Sequence, residues 1–454
     1  MTSILVDAYN IARPQGTGVA TYGRNLARAA AGLGHEVGLL FAARAGKRGD
    51  PLLREIALAE GDDAAAAGRR PRLLGQVATA AGGVLTARHA QEIALSGEVI
   101  LPSGLALPGA RYWNAPQLYG LAHGAFRATG RMTRIAGPQA EIAHWTYPLP
   151  VTARGAANVY TMHDLVPLRL PHTTADRKKT YLALARRIAS EADHILTVSD
   201  HSRGDIMRIL GVEESRITNL YQSTDIAALM ADVTEAQIAR EVEGLLGAPM
   251  RGYYLFFGAI EPKKNIVRLL EAHLTSGSPH PLVIVGAPGW GSAREVALIE
   301  QLAALGDGKR VRWLGYLPRQ TLATVIAGAR GVVFPSLYEG FGLPVLEAMA
   351  LGTPVITSNT SSLPEVAGDA ALLVDPLDVR AIARAMLALD TDDAAVTDMA
   401  RAGLVQAERF NAQAYRARLA GFYARLLGTA PLQDISTPIT SAAGQAAPEQ
   451  ARAA

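Results

Sequence analysis

The sequence predicts an α/β protein with two doubly wound, parallel-sheet domains. Short apolar runs of strand length alternate with helical stretches from the first residues onward. This alternation is typical of parallel sheets with helices on both faces. The series restarts after a polar helical segment near Asp225–Leu246, and 454 residues suffice for two or three domains of roughly 150 residues each.

Each series contains five predicted strands. Those of the first are Ile4–Val6, His35–Phe41, Asn158–Thr161, His194–Val198 and Ile217–Tyr221. A helix over 19–33 connects the first two as in a βαβ unit, and another begins at Asp200. Those of the second are Tyr253–Phe257, Leu282–Val285, Val311–Leu314, Gly331–Phe334 and Pro354–Thr357. Ligands collect at the carboxyl ends of such strands, so two facing sheets are expected to form a cleft.

The two series predict the domain boundaries. An N-terminal domain is expected over 1–225, a linker over 226–250 and a C-terminal domain over 251–410. A helix at Gln413–Leu427, within the segment 411–428, is expected to pack back across both domains. The tail 429–454 is rich in Ala, Pro, Gln and Ser, and this composition predicts disorder.

Composition excludes several classes of protein. The hydrophobic fraction of 49% and charged fraction of 19% are those of a folded protein. The absence of cysteine excludes disulfides, thiolate metal sites and a cysteine nucleophile, and it suits the cytoplasm. A net charge of +3 is too small to indicate nucleic acid binding. No signal peptide is expected because Asp7 interrupts the first apolar run, and no stretch reaches the ~20 apolar residues of a membrane-spanning helix.

The strongest motif is Glu-Gly-Phe-Gly-Leu-Pro-Val-Leu-Glu at residues 339–347. Pro344 is well placed as the first residue of a helix that closes at Gly352. The two glycines let the backbone approach a ligand, and the helix N-terminus favours a phosphate or pyrophosphate. Glu339 can accept hydrogen bonds from sugar hydroxyls, and Glu347 can accept two from a ribose diol. The alternative is that both acids only complement the helix dipole.

Two glutamates separated by seven residues, with Gly-Phe-Gly between them, resemble the signature of retaining GT-B glycosyltransferases of family 4. The resemblance implies two Rossmann-like domains facing a cleft, a nucleotide-sugar donor and retention at the transferred sugar. Donor contacts are implied for Glu339, Gly340, Phe341, Gly342, Leu343 and Glu347. It also implies no cofactor and no metal ion, since helix termini and a lysine neutralise the leaving diphosphate. The sequence contains no histidine-pair or cysteine-pair metal spacing.

A second motif, Gly-Ala-Ile-Glu-Pro-Lys-Lys-Asn at residues 258–265, resembles the loop in which the family's lysine meets the donor diphosphate. Lys264 takes that position. Where the family often has arginine this chain has Ala259, so that phosphate contact is missing or supplied by Lys263. This form of loop is similar to that of bacterial mannosyl- and rhamnosyltransferases of surface polysaccharides. The alternative is a solvated helix start, but a lysine there suits the helix dipole poorly unless an anion is bound.

Two features of the first domain could also meet the donor. Gly16 and Gly18 open the first helix, where bare amides could meet the diphosphate or the sugar; the alternative is a tight turn. The resemblance implies that His163, after a strand, faces the hydroxyls of the transferred sugar; the alternative is a structural histidine. His144 is expected to shape the acceptor side. The glycine motif lacks the third glycine of a dinucleotide-binding fingerprint, which disfavours a dehydrogenase.

The stretch 99–140 contains no acidic residue and combines arginines with aromatic residues: Arg111, Arg127, Arg131 and Arg134 with Tyr112, Trp113, Tyr119 and Phe126. One hypothesis is that it docks on anionic lipid, so that a polyprenyl-linked glycan reaches the cleft. The equal alternative is an ordinary variable loop and helix.

Together these motifs predict a metal-independent, retaining hexosyltransferase, cytoplasmic or peripheral on the inner face of the membrane. Mannose from GDP-mannose is the first choice of donor, and a growing bacterial surface glycan or lipid-linked oligosaccharide is the acceptor. The predicted catalytic residues are His163, Glu339 and Lys264. The alternatives are another donor such as GDP-rhamnose or a UDP-sugar, a GT-B nucleotide-sugar epimerase, and a non-catalytic nucleotide-sugar-binding protein.

Overall fold

The computed structural model describes residues 1–12, 18–44, 50–60, 88–102, 104–305 and 310–429. Contacts divide the chain into two compact units. The first unit contains Met1–Asp225, Glu339–Leu343 and the described residues from Phe410 to Thr429. The second unit contains Ile226–Tyr338 and Pro344–Arg409.

Within the described residues, the first unit is built on an eight-stranded sheet with the order β11-β10-β9-β7-β1-β2-β5-β4 and on a small sheet, β3-β6-β8. The pairs are parallel except β4 with β5. The strands are β1 Ser3–Asp7, β2 Glu36–Phe41, β3 Arg88–His89, β4 Gln91–Ile93, β5 Arg111–Asn114, β6 Thr133–Ala136, β7 Ile142–Trp145, β8 Val151–Ala153, β9 Ala157–Thr161, β10 His194–Thr197 and β11 Ile217–Asn219.

The helices before residue 226 are α1 Gly18–Gly32, α2 Pro51–Glu60, α3 Leu118–Thr129, α4 Val166–Arg169, α5 Lys178–Glu191 and α6 Asp200–Leu210, with 3-10 turns at Pro171–Thr173 and Glu214–Arg216. Helix α1 buries small and apolar side chains such as Ala20, Leu26 and Ala30. The parallel register of β1, with Ser3 opposite Glu36 and Ile4 opposite Ile142, puts the ends of β1, β2 and β7 at one edge.

The second unit, as far as it is described, has one parallel sheet in the order β14-β13-β12-β15-β16-β17. Its strands are β12 Tyr254–Phe257, β13 Leu282–Val285, β14 Val311–Leu314, β15 Gly331–Phe334, β16 Val355–Ser358 and β17 Leu372–Val374. The helices that follow residue 226 are α7 Glu235–Leu246, α8 Ile266–Ser276, α9 Ala293–Ala304, α10 Arg319–Ala327, α11 Leu343–Ala350, α12 Leu363–Ala367, α13 Val379–Thr391 and α14 Asp393–Glu408, with 3-10 turns at Ile226–Met230 and Pro262–Lys264.

The last described helix, α15, spans Ala412–Leu426 and packs against α1 in the first unit. Its inward face carries the buried residues Tyr415, Leu419, Phe422 and Tyr423. The predicted tail falls almost wholly outside the described residues, which end at 429.

The two parallel-sheet units confirm the predicted α/β class. The predicted strand at Ile217–Tyr221 is shorter than expected, since it ends at Asn219. The predicted helix start at Pro344 is wrong by one residue, because α11 begins at Leu343. Strands β3 to β8 and β17 were not predicted, because runs of two to four residues, some of which include a polar residue such as Arg111 or His144, do not stand out by apolar length. The segment 226–250, predicted as a linker, carries a 3-10 turn and α7.

Candidate functional site

The predicted donor loop, Glu339–Leu343, packs within the first unit. The Gly340 carbonyl accepts hydrogen bonds from two buried hydroxyls, Ser199 Oγ at 2.7 Å and Ser202 Oγ at 3.3 Å. Ser199 Oγ also accepts the Ser202 amide and so caps α6. Ser199 and Ser202, at the start of α6, therefore hold the loop by hydrogen bonds to one carbonyl.

Two glycines of this loop have structural reasons to be glycine. A Cβ atom at Gly340 would lie 2.8 Å from the His163 carbonyl oxygen and 2.9 Å from Asp164 Oδ2. Gly342 has a φ of 115°, which side chains rarely adopt. At the end of the loop, Leu343 Cδ1 would be 3.3 Å from a Cβ at Gly18. The structure thus brings Gly18, His163 and the loop together, whereas Gly16 lies outside the described residues.

The substitution Gly340→Ala is expected to destabilise the protein by about 1–3 kcal/mol, because its Cβ would press on a backbone oxygen that cannot move away freely. The matched control is Gly204→Ala in α6, where a Cβ would meet nothing within 4 Å and alanine favours the helix. Urea unfolding of both variants measures the difference. Equal stability of the two variants would contradict the close packing of the loop.

His163 lies directly behind the donor loop and is 9% exposed. Its Nε2 atom is 2.9 Å from the Thr146 carbonyl oxygen, and its ring lies nearly perpendicular to that of Tyr22 at a centroid distance of 4.8 Å. A carbonyl only accepts, so the bond assigns the proton to Nε2. Burial lowers the pKa of the imidazole, which keeps it neutral and leaves Nδ1 as its acceptor nitrogen. The sugar contact predicted for His163 stays a prediction, and Nδ1 is the atom that would make it.

His144 belongs to a fully buried network rather than to a surface. Its ring nitrogens pair with Tyr423 Oη and Thr161 Oγ1, each at 3.0 Å. Burial lowers its pKa to about 3, with the nearby His163 adding to the shift. Both ring nitrogens have protein partners. These hydrogen bonds therefore account for the position of His144 without any contact to an acceptor glycan.

Asp7 lies at the carboxyl end of β1. The sequence motifs did not identify it as a site residue, and it was considered only as an interruption of the first apolar run. Its carboxylate is fully buried and accepts hydrogen bonds from the Thr146 amide, from Thr146 Oγ1 at 3.2 Å and from the Tyr9 amide at 3.2 Å. Burial raises its pKa to about 6, although these hydrogen bonds act in the opposite direction. An acid directly after a buried apolar strand was the available signal.

In the second unit, Lys264 ends a 3-10 turn and stands just before α8. The residue is 9% exposed, and its Nζ atom lies 4.8 Å from the centroid of the Phe334 ring. The next residue, Asn265, fixes the turn by donating from Nδ2 to the carbonyls of Pro335 (3.0 Å) and Pro376 (2.7 Å). Lys264 therefore stands just before the N-terminus of α8, and an anion bound there would suit both the lysine and the helix dipole.

Lys263 is less buried and lies 3.9 Å from Glu261 Oε2. Its carbonyl accepts the Leu337 amide at 2.8 Å, which ties the lysine loop to the segment after β15. In that segment Ser336 Oγ is buried with no hydrogen-bond partner among the described residues. A buried hydroxyl of this kind is a candidate ligand contact that the sequence motifs did not reveal. Glu347 lies on α11 and is partly exposed.

The basic and aromatic stretch differs from its prediction. Tyr112, Tyr119 and Phe126 are buried in the core, so the aromatic part of the membrane argument is wrong. Arg111 pairs with Glu36 at 3.0 Å and Glu92 at 2.5 Å, and it covers the half-buried Trp113. Three arginines remain exposed: Arg127, Arg131 and Arg134. Among the described residues no helix is long and apolar enough to cross a bilayer.

Two family models match the chain. The model for glycosyltransferase family 4 matches residues 16–227, and the model for glycosyl transferases group 1 matches residues 241–405. Together the two matches cover most of the chain.

The chain is also similar to individual proteins, both in sequence and in fold. The chain is 37% identical over 266 residues to O-antigen chain mannosyltransferase B of Escherichia coli, with 56% of this chain and 66% of that protein covered. It therefore spans about two thirds of the length of this relative. Sucrose-phosphate synthase from Thermosynechococcus elongatus aligns with a TM-score of 0.66 and 20% identity over 95% of this chain and 100% of that one. Anabaena HepE, solved in complex with UDP and glucose, aligns with a TM-score of 0.63 and 16% identity over 94% and 100%. The two family models show that the chain belongs to glycosyltransferase family 4. The alignment with solved structures shows that it has the GT-B fold.

Proposed function

We propose that this protein is a retaining hexosyltransferase that moves mannose from GDP-mannose onto a growing bacterial surface glycan or lipid-linked oligosaccharide. The observation that carries the proposal is the loop that begins at Glu339, whose buried carboxylate precedes a carbonyl clamped by two serines and packed on His163. Such a loop is a preorganised set of hydrogen-bonding groups. The similarity to a bacterial O-antigen mannosyltransferase supports the choice of sugar and of acceptor class.

In the proposed reaction, Glu339 and Nδ1 of His163 accept hydrogen bonds from hydroxyls of the donor sugar. Lys264 and the amides of residues 340–343 stabilise the charge that develops on the diphosphate, and Glu347 binds the ribose diol. The bond from the anomeric carbon to the diphosphate breaks as the acceptor hydroxyl attacks from the same face. The proton of that hydroxyl passes to the departing diphosphate oxygen, so charge and atoms balance. The proposal requires no metal ion and no cofactor.

A thermal-shift panel with GDP, UDP, ADP and dTDP tests the donor. GDP is expected to raise the melting temperature most, because a ligand at 100 times its Kd stabilises the folded state by about 2.7 kcal/mol. A larger shift with UDP would overturn the choice of GDP-mannose and support a UDP-sugar instead.

Product analysis by NMR then tests the reaction. With GDP-mannose and a mannose-terminated oligosaccharide, the expected products are GDP and an α-linked extended glycan. Conversion of the donor without an acceptor would indicate an epimerase. A protein that binds the nucleotide but releases no nucleoside diphosphate, from GDP-mannose or from another nucleotide sugar, would be non-catalytic.

A further inference from the structure

Thr146 connects the buried carboxylate of Asp7 to the imidazole of His163 through hydrogen bonds. Asp7 accepts both the amide and the hydroxyl of Thr146, and the carbonyl of Thr146 accepts Nε2–H of His163 at 2.9 Å. The three residues come from the end of β1, the end of β7 and the end of β9. They meet because these strands are neighbours in the sheet and parallel.

The effect of Asp7 on His163 is positional. The Thr146 amide and the Thr146 carbonyl belong to different peptide planes, so the carboxylate acts by fixing the residue and hence the direction of its carbonyl. With two hydrogen bonds from one residue to one carboxylate, Thr146 has little freedom to rotate. The other side of the imidazole is fixed by Tyr22, whose hydroxyl is 2.8 Å from Thr161 Oγ1.

The burial of Asp7 costs free energy that its hydrogen bonds must offset. Burying a carboxylate away from water is unfavourable, and no lysine or arginine in the described part of the chain forms an ion pair with it. Its charge is balanced by N–H and O–H donors alone. Thr146 supplies two of these hydrogen bonds, so the donors that offset the desolvation of Asp7 also fix Thr146.

We propose that Asp7 is a positioning residue, which holds the Thr146 carbonyl so that His163 stays in the Nε2–H tautomer and presents Nδ1 as an acceptor to the transferred sugar. The sugar contact rests on the proposed function, whereas the tautomer does not. Asp7 itself touches neither the sugar nor the diphosphate in this arrangement.

The test reads the tautomer directly in the full chain labelled with ¹⁵N-histidine, by two-bond ¹H–¹⁵N correlation spectra without any substrate. His163→Gln identifies the signals of His163 by their loss. The wild type is expected to show the Nε2–H tautomer alone, because only a donor pairs with a carbonyl. Asp7→Ala is expected to show a mixture of both tautomers, and Asp7→Asn, which keeps one acceptor oxygen, a smaller change in the same direction.

The matched control is Glu55→Gln. Glu55 is also a buried carboxylate, but it accepts from the amide and the hydroxyl of Ser96 and has no hydrogen bond to Thr146. This variant is expected to leave the signals of His163 unchanged. A His163 tautomer that is unchanged in a folded Asp7→Ala variant would overturn the proposal, as would an equal change in Glu55→Gln. If the alanine variant does not fold, an unchanged tautomer in Asp7→Asn overturns it.

Kinetics with GDP-mannose separates positioning from a general loss of stability. Asp7→Ala is expected to lower kcat about tenfold with less than about a twofold change in KM for the donor, because misplacement of one group affects the reacting geometry more than nucleotide binding. A drop in kcat for Glu55→Gln of the same size would contradict the assignment. Absence of turnover in the wild type would refute the proposed function and leave the tautomer result to decide the role of Asp7.

Discussion

Glu339→Ala is expected to lower kcat with GDP-mannose by about two to three orders of magnitude, because it removes the buried carboxylate that we propose contacts the donor sugar. The residue is 7% exposed and is followed by a carbonyl held by Ser199 and Ser202. The rest of the loop is therefore expected to keep its shape without the side chain. Steady-state release of GDP, measured with saturating acceptor, gives the effect on kcat.

Two controls test whether the loss of kcat reflects the transfer step or nucleotide binding. The apparent affinity for GDP itself, measured by calorimetry, is expected to change less than about threefold, since the diphosphate contacts proposed for Lys264 remain. Glu347→Gln is expected to raise KM for the donor more than it lowers kcat, because a ribose contact binds ground state and transition state alike. Near-normal turnover of Glu339→Ala would refute the role of the loop in transfer.

Acidification from pH 7 to pH 5 is expected to remove about 2 kcal/mol of folding free energy through His144, since each pH unit below the unfolded-state pKa counts about 1.4 kcal/mol. Burial lowers the pKa of His144 from 6.5 to about 3 in the folded protein. The unfolded chain therefore takes up a proton below pH 6.5 while the folded protein does not. The stability is complete above pH 6.5 and is lost progressively as the pH falls towards about 3.

Urea unfolding at pH 7 and pH 5 measures this loss. His144→Gln is expected to be less stable at pH 7 but to lack this part of the pH dependence, whereas the exposed His172→Gln is expected to follow the wild type. Asp7 acts in the opposite direction: its pKa is raised from 3.8 to about 6, so the folded state gains stability as the pH falls through that interval. This contribution is common to all three proteins and cancels in the comparison. Equal pH dependence of wild type and His144→Gln would contradict the prediction.

Local signals in the sequence predicted the secondary structure around the 339–347 motif well. The strand has its predicted bounds, Gly331–Phe334, and the helix after the loop begins within one residue of its predicted start. They could be read because a buried parallel strand, two glycines and a helix start are adjacent in the chain and each has its own composition. The roles of Glu339, Glu347, Lys263 and Lys264 in donor binding stay predictions.

The stretch 111–126 shows why the first unit was harder to interpret. Tyr119, Ala122 and Phe126 have the spacing of one helix face, and they pack as the buried side of α3. Membrane docking was nevertheless given equal weight with an ordinary loop and helix, because the identity of the aromatic residues was considered without their helical spacing. Their helical spacing was the signal that predicted a core.

The sequence by itself determined the α/β class and the donor motifs, because each depends on residues that are neighbours along the chain. Only the tertiary structure decided which groups stand behind the donor loop. Asp7, Thr146 and His163 lie on three separate strand ends, and Ser199 and Ser202 begin a helix far from Gly340 in the chain. Strand order and register bring these groups within hydrogen-bond distance. Burial then sets the ionisation of Asp7 and His163, and no local pattern of residues encodes either property.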